Sequence, residues 1–183
     1  YRTMVEAVAM RTWGLGGDSE VHVLDGLEGG LRLGPRRLMP VALAAQEFPE
    51  LVHRALDRAL ASDNPPEDGG RFVIPHWQGD IPEGLDPRET AVALRLVEGP
   101  LRLARLVSRG HVMIAGVTPS DAAHVLGRLE AWDGDAAAKA LTLFARRRNA
   151  RGDRIGDSAA VMAQAIVDQL TRQTVDALLE SAF

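Results

Sequence analysis

Short segments in which hydrophobic and polar residues alternate lie near the beginning of the chain. Residues 20–23 read Glu-Val-His-Val, and residues 31–33 read Leu-Arg-Leu. Such alternation is typical of strands with one face in the core. The turn residues of 26–30 separate the two segments, so the pattern predicts a β-hairpin with a loop somewhat longer than the tightest kind. The apolar residues over 3–12 favour an extended segment before it.

Helical periodicity becomes clear from Pro49 onwards. Apolar residues over 48–60 recur at the spacing of one helix face, and proline suits a first helical position, so the pattern predicts an amphipathic helix. The capping pattern of residues 86–89, Asp-Pro-Arg-Glu, predicts another helix that breaks and resumes over 101–108. Two more helices are predicted over 135–148 and 158–181.

Two further strands and one well-defined helix start complete the predicted elements. Residues 71–74 predict a short strand stopped by a proline, and the apolar run 112–115 predicts a strand buried on both faces. The second strand leads directly into Thr-Pro-Ser-Asp at 118–121, a capping arrangement with proline at the first helical position. The apolar spacing of the helix that follows leaves Asp121 and His124 on the opposite face.

Composition narrows the class of protein mainly by exclusion. The 183 residues suffice for one domain, 1–183, and the 46% apolar and 25% charged content is ordinary for a soluble globular protein. A net charge of -4 argues against nucleic-acid binding, and the absence of cysteine excludes disulfides, thiolate zinc sites and cysteine nucleophiles. No membrane span or secretory leader is visible, which predicts a cytoplasmic protein. Because the chain opens on Tyr1 rather than methionine, we expect a piece of a longer protein.

A glycine cluster precedes the predicted hairpin and is the first candidate site. Gly16 and Gly17 have no Cβ, so successive N–H groups there could converge on one anion. At the rim, Asp18 could hold a metal ion and Ser19 could donate a hydroxyl. The pattern is neither the dinucleotide fingerprint nor the Walker loop. The alternative is a plain tight turn, since loops use these residue types generally.

The helix that follows Thr118 is the second candidate site. A helix N-terminus presents unpaired N–H groups and a partial positive charge, so it can accept a phosphate or a carboxylate. In the alternative, Thr118 and Asp121 satisfy those N–H groups as an ordinary cap. The five histidines are scattered without metal-ligand spacing, and the arginines of 146–148 suit a helix C-terminus better than a nucleic-acid patch.

Three segments taken together resemble the hydantoinase/oxoprolinase family. They are Gly-Leu-Gly-Gly-Asp-Ser-Glu-Val at 14–21, Leu-Arg-Leu-Gly-Pro at 31–35, and Thr-Pro-Ser-Asp-Ala-Ala-His-Val-Leu-Gly-Arg at 118–128. The family pattern has a glycine-rich turn, a hairpin that ends in Gly-Pro, and a later Thr-x-x-Asp-Ala followed by Leu-Gly. The order and the residue types of the three segments agree with that pattern over roughly positions 12 to 130.

The resemblance implies an α/β fold, namely a fragment of an actin-like (ribonuclease H-like) ATPase domain with a short mixed sheet and several helices. It also implies ATP-dependent opening of a cyclic amide such as a hydantoin or 5-oxoproline. In that chemistry ATP phosphorylates the amide oxygen, water attacks the activated carbon, and a divalent ion such as Mg²⁺ shields the phosphate charge.

Site roles follow from the same resemblance. The catalytic pair would be Asp18 and Asp121, with Asp18 also near the metal. The groups near the nucleotide phosphates would be Gly16, Gly17, Ser19 and Thr118. The partners implied are a cyclic amide substrate and either a second copy of the chain or a second hydrolase subunit, with no nucleic acid and no membrane.

Two alternatives stay open at this point. In one, the chain is a binding or scaffold module that responds to nucleotide and has lost the reaction. In the other, residues 86–117 form a winged-helix-like nucleic-acid module, which the negative net charge disfavours.

Overall fold

The computed structural model describes residues 15–24, 30–64, 70–75 and 112–182. These residues form a mixed α/β arrangement of five helices and five short strands, divided between a two-stranded and a three-stranded sheet. The α/β class with a short mixed sheet and several helices is therefore confirmed. The predicted segment 3–12 and the predicted helices over 86–108 lie outside the described residues.

The first sheet is the predicted hairpin. Strand β1 (Ser19–Val23) pairs with β2 (Leu31–Arg37) in antiparallel register, with Val21 opposite Leu33. Both side chains are buried, as the alternating pattern requires. The hairpin prediction is therefore confirmed.

The second strand of the hairpin runs further than the alternating pattern indicates. It continues through Gly34 and Pro35, and its last residue, Arg37, lies opposite Ser19 after a shift of register. Gly34 has a φ of 67°, in the left-handed region that glycine occupies without strain. Proline has no N–H to give to a sheet, so it is tolerated where the ladder is irregular. Because the ladder is irregular there, the strand continues through a Gly-Pro pair that would otherwise end it.

The second sheet has the order β3, β5, β4. Its members are β3 (Met39–Pro40), β4 (Phe72–Pro75) and β5 (Val112–Gly116). The central strand β5 pairs in parallel with β3 and antiparallel with β4. The predicted strands at 71–74 and 112–115 are therefore confirmed within one residue, and β5 occupies the central position that its continuous apolar run indicates.

Five helices pack around these sheets. They are α1 (Val41–Glu47), α2 (Pro49–Leu60), α3 (Pro119–Val125), α4 (Gly134–Ala145) and α5 (Ala159–Ala182). The structure confirms the helices predicted to start at Pro49 and Pro119 and those predicted over 135–148 and 158–181. Helix α4 ends three residues before its predicted end because Arg146 is its C-cap.

Helix α1, like the two-residue strand β3 before it, is not predicted by the sequence pattern. Its residues Val41, Ala42, Ala44 and Ala45 are all buried, so it lacks the regular polar stripe that identifies an amphipathic helix. Its N-cap is Pro40, whose side chain cannot accept a hydrogen bond. The helix therefore depends on groups from elsewhere in the chain to satisfy its first N–H groups.

The core lies around helix α4, which packs against α1, α2, α3 and α5. The largest fully buried apolar side chains there are those of Val41, Val52, Leu56, Leu141, Met162 and Ile166. Helix α4 adds Ala136, Ala137 and Ala140, which are completely buried and small. Small side chains let neighbouring helices approach closely, so the helices form a dense layer.

The end of helix α4 also supports helix α2. Arg146 donates from Nη1 to the carbonyl of Leu60 at 2.9 Å and to that of Ser62 at 3.3 Å. The last carbonyls of α2 have no partner within the helix, and the Arg146 guanidinium supplies one. Its positive charge also complements the dipole of α2. The prediction that the arginine cluster lies at a helix C-terminus is thus confirmed for Arg146.

Helix α5 spreads its apolar residues over more than one face, as its pattern indicates. Met162 and Ile166 are buried, whereas Val161, Val175 and Leu179 are about half exposed. Among the described residues, no helix combines the length and the apolar character that crossing a membrane requires.

A side chain of α5 also completes the edge of the hairpin. Gln173 Oε1 accepts from the N–H of Leu33 at 2.8 Å, and Gln173 Nε2 donates to the carbonyl of Leu33 at 3.0 Å. The side-chain amide therefore bonds the backbone as a neighbouring strand would. This contact ties residues 140 positions apart in sequence.

Replacing Gln173 should loosen the hairpin from the helix. We expect Gln173→Ala to lower the free energy of unfolding by about 1 to 2 kcal/mol, because two part-buried backbone groups lose their partner. Gln164→Ala is the matched control, since its amide bonds only the exposed Asp168, and should change stability by less than about 0.5 kcal/mol. Urea unfolding of both variants measures the difference. Equal stability would contradict a structural role for the Gln173 contact.

Candidate functional site

The glycine turn is held by bonds between its own residues. Ser19 Oγ accepts from the N–H of Gly16 at 2.8 Å, and the N–H of Ser19 donates to the carbonyl of Gly16 at 3.2 Å. Ser19 is completely buried. Its hydroxyl therefore closes the turn rather than standing at an open rim.

Gly17 lies where the glycine turn touches the start of helix α3. A Cβ built on Gly17 would lie 2.6 Å from Ser120 Oγ, closer than real contacts allow. The N–H of Ser120 donates to the carbonyl of Gly17 at 2.9 Å. A larger residue at this position would force the Ser120 side chain to move, so glycine serves close approach here and not a left-handed backbone conformation. The two candidate sites, far apart along the chain, are in direct contact.

Thr118 and Asp121 form the predicted capping box at the start of α3. The N–H of Asp121 donates to Thr118 Oγ1 at 3.4 Å, and Asp121 Oδ2 accepts from the N–H of Thr118 at 3.0 Å. The Thr118 hydroxyl also donates to the same carboxylate oxygen at 2.9 Å. This reciprocal arrangement satisfies two N–H groups that would otherwise have no partner.

The Asp121 carboxylate also caps helix α1. Its Oδ2 accepts from the N–H of Val41 at 3.1 Å, and its Oδ1 accepts from the N–H of Ala42 at 2.8 Å. One carboxylate thus serves the N-termini of two helices, where partial positive charges meet. Asp121 is completely buried and His124 nearly so. The face of α3 opposite its apolar residues is therefore covered as well.

Burial and hydrogen bonding act on Asp121 in opposite directions. Burial raises its pKa to about 6, whereas the bonds from Ala42, Thr118 and Val41 favour the charged form and limit the rise. The carboxylate remains the main form at neutral pH. A charged group in the interior is tolerable here because each oxygen faces donors only.

Asp18 occupies the exposed side of the same turn. Its side chain is 39% exposed and its Oδ1 lies 3.7 Å from Arg37 Nε, while its carbonyl accepts from the N–H of Leu38 at 2.8 Å. A single accessible carboxylate suits Mg²⁺, which commonly binds through one or two carboxylates together with phosphate oxygens. Across the described ranges, no three histidine or acidic side chains gather as a ready metal site.

His124 lies one turn after Asp121 on the same face of α3. Its Nδ1 lies 2.8 Å from the carbonyl of Ser120, and its Nε2 accepts from the N–H of Trp132 at 3.1 Å. These partners make Nδ1 the donor and Nε2 the acceptor of the ring. The ring also stacks on Trp132, with centroids 5.5 Å apart. His124 is therefore a packing residue, as its lack of metal-ligand spacing indicates.

The structure thus brings Gly17, Ser19, Thr118 and Asp121 into one junction with Asp18 at its surface. Most of the polar groups of this junction bond one another. The N–H groups of Thr118, Ser120 and Asp121 all donate within it. The capping alternative stated for the start of α3 is therefore confirmed. Contact of these residues with a nucleotide stays a prediction.

Beside the junction lies a polar cavity of about 170 Å³ that the sequence patterns do not indicate. Its wall includes Glu20 and His22 of β1, Arg71 before β4, Gly116 at the end of β5, and Arg147 after α4. The Glu20 side chain is only 3% exposed and is ion-paired with Arg71. An alternating Glu-Val-His-Val segment gives no sign that its glutamate is buried, since the pairing arginine is distant in sequence.

Comparisons of the chain with protein-family models, with curated proteins and with solved structures find no match. The geometry of the junction and the cavity is therefore the structural basis for assigning a function.

The contact between the two corners can be tested by a double-mutant cycle. We expect Gly17→Ala to lower the free energy of unfolding by about 1 to 3 kcal/mol because its Cβ meets Ser120 Oγ. Adding Ser120→Ala removes that oxygen and should recover about 1 kcal/mol or more. Gly134→Ala, whose Cβ would enter open space, is the control. Additive effects in urea unfolding would contradict the close approach of Gly17 to the Ser120 hydroxyl.

The Asp121 carboxylate should be among the most sensitive positions of the chain. In Asp121→Asn an amide NH₂ replaces one acceptor oxygen and faces N–H donors, so we expect a loss of about 2 to 4 kcal/mol in the free energy of unfolding. Asp135→Asn, in the first turn of α4 and exposed, should cost less than about 1 kcal/mol. Thermal and urea unfolding of the two variants compare them. Similar losses would remove the special role of Asp121.

Proposed function

We propose that the chain is part of an ATP-dependent hydrolase of the hydantoinase/oxoprolinase type, which opens a cyclic amide such as a hydantoin or 5-oxoproline. One observation carries the proposal. The glycine turn and the Thr118 corner, two of the three segments that together suggest the family, meet through the bond from the Ser120 N–H to the Gly17 carbonyl at 2.9 Å. An actin-like ATPase fold, cytoplasmic location and a second copy or subunit as partner belong to the same proposal.

Within this proposal the residues have unequal roles. Asp18 is the candidate ligand for a divalent ion, because its carboxylate is accessible at the surface of the junction. Gly16, Gly17 and Ser19 shape the turn that presents it. ATP, when bound, would supply a phosphoryl group to the amide oxygen, which would activate the amide carbon toward attack by water.

Asp121 and Thr118 act in this proposal as positioning residues. The Asp121 carboxylate is buried and accepts four hydrogen bonds, so it holds the corner of α3 against α1. The position of Ser120, and through it that of the glycine turn, depends on this arrangement. Loss of Asp121 would therefore affect nucleotide binding through the geometry of the turn.

A second candidate function is a non-catalytic module that binds nucleotide. The observation that favours it over the hydrolase is that Asp121, one of the two carboxylates implied as catalytic, is completely buried and accepts four hydrogen bonds from the protein itself. In such a module the junction responds to nucleotide without a reaction. Turnover on a cyclic amide distinguishes it from the hydrolase.

Calorimetry on the gene product that contains this chain tests both candidates. We expect ATP with Mg²⁺ to bind, and Asp18→Asn to weaken Mg²⁺-dependent binding by about tenfold, because one carboxylate ligand is lost. Asp157→Asn, at an exposed acid remote in sequence, should leave binding unchanged.

Phosphate release in the presence of cyclic amides then separates the two candidates. Release that depends on hydantoin or 5-oxoproline supports the hydrolase. Nucleotide binding without release on any cyclic amide supports the module. Absence of nucleotide binding contradicts both.

A further inference from the structure

The outer face of helix α5 carries a regular stripe of residues. The stripe advances by alternate steps of four and three residues, which keeps its members along one side of the helix. This is also the spacing of the seam along which two helices pack in a coiled coil. The members of this α5 stripe are Val161, Ala165, Asp168, Arg172, Val175 and Leu179. All of them are exposed except Ala165, which is half-buried.

The α5 stripe is separate from the side of the helix that holds the fold together. Met162 and Ile166 are buried in the core, and Gln173 bonds the hairpin. The stripe residues Val161 and Leu179, in contrast, are about half exposed to water. Their burial against another apolar surface would be favourable. The stripe is therefore a candidate surface for a second helix.

The two charges at the middle of the stripe select the orientation of that helix. Asp168 Oδ1 accepts from Gln164 Nε2 at 2.9 Å, and Arg172 donates from Nε and Nη2 to Gln169 Oε1 at 3.1 and 2.8 Å, so both charges contact neutral amides. If two copies of α5 pair in antiparallel order about a two-fold axis at position 170, Asp168 of each copy faces Arg172 of the other. A parallel two-fold pair would place like charges together, which is unfavourable.

The apolar members of the stripe match in the same antiparallel register. Val161 of one copy faces Leu179 of the other, and Ala165 faces Val175, since both pairs are also centred on position 170. The apolar pairs supply attraction, whereas the central charges mainly fix register and orientation. From Val161 to Leu179 the stripe is only about 27 Å long at the helical rise per residue. Such a short contact predicts a weak dimer.

We propose that the α5 stripe pairs two copies of this chain in antiparallel order, with Asp168 of each copy against Arg172 of the other. A second copy is among the partners of the proposed hydrolase, and the stripe gives it a binding surface. The pairing needs neither nucleotide nor turnover. Failure of the pairing and failure of the hydrolase are therefore seen in different experiments.

Sedimentation equilibrium of the full chain, from micromolar to millimolar concentration, measures the pairing. We expect a monomer–dimer equilibrium with a dissociation constant on the order of 100 μM, as a short interface implies. A chain that stays monomeric over this range would leave the stripe to a different partner and would overturn the proposal. Trimers or larger species would overturn it as well.

Charge reversal at the two central positions tests the register. Asp168→Arg and Arg172→Asp each place like charges opposite each other twice in the dimer, so each should weaken pairing by at least about tenfold. An equimolar mixture of the two variants forms two opposite-charge pairs and should recover the original affinity within about fivefold. The matched control is Asp63→Arg, at an exposed acid just after α2, which should pair like the unmodified chain.

Three outcomes of this experiment would contradict the proposed register. They are unchanged pairing in either stripe variant, a mixture that pairs no better than its components, and equal weakening in Asp63→Arg, which would indicate an effect of net charge. Both stripe positions are exposed, and thermal unfolding verifies that the variants fold.

Disulfide trapping tests the same register without changing the charges, because the chain has no cysteine of its own. A mixture of Val161→Cys and Leu179→Cys should form a cross-linked dimer under mild oxidation, since these positions face each other. Val161→Cys alone should not, because in the antiparallel pair its two copies lie about 27 Å apart, too far for a disulfide. Equal cross-linking of the mixture and of Val161→Cys alone, or none in the mixture, would overturn the proposal.

Discussion

The arrangement of the helices depends on one buried carboxylate that joins two helix N-termini. Asp121 closes the capping box of its own helix and supplies acceptors to the first N–H groups of α1, a helix whose own N-cap offers none. The two partners are 80 residues apart in sequence. Hydrogen bonds of this kind are directional, and a buried carboxylate is tolerated only when each of its oxygens has hydrogen-bond donors. It therefore fixes how the early and late parts of the chain face each other.

The same joint gives the candidate sites their location. With α3 held against α1, Ser120 meets Gly17. The strands next to the two corners, β1 after the glycine turn and β5 before Thr118, both border the polar cavity. Asp18 remains at the surface of this assembly, while the polar groups beneath it bond one another. The structure thus combines an internal network of hydrogen bonds with an accessible acidic side chain, Asp18, at the turn.

Local patterns sufficed for the hairpin and four of the helices, since these elements carry their own periodicity and their own start signals. The start of α3 is an example, because Thr118 and Pro119, which predict the start of this helix from the sequence, are its N-cap and its first residue in the structure. Helix α1 lacked any such signal, as its N–H groups are satisfied by Asp121 from a distant segment. The burial of Glu20 was equally invisible, since it depends on Arg71. Long-range pairs of this kind cannot be inferred from spacing along the chain.

The contact between Gln173 and Leu33 has a consequence for how the molecule behaves among its own copies. A hairpin leaves the outer N–H and C=O groups of its strands open, and such edges invite pairing with other chains and aggregation. At Leu33 both outer groups are already engaged by a side-chain amide. A strand from another molecule finds no vacant donor and acceptor at this point. The long C-terminal helix thereby protects the hairpin against intermolecular sheet growth.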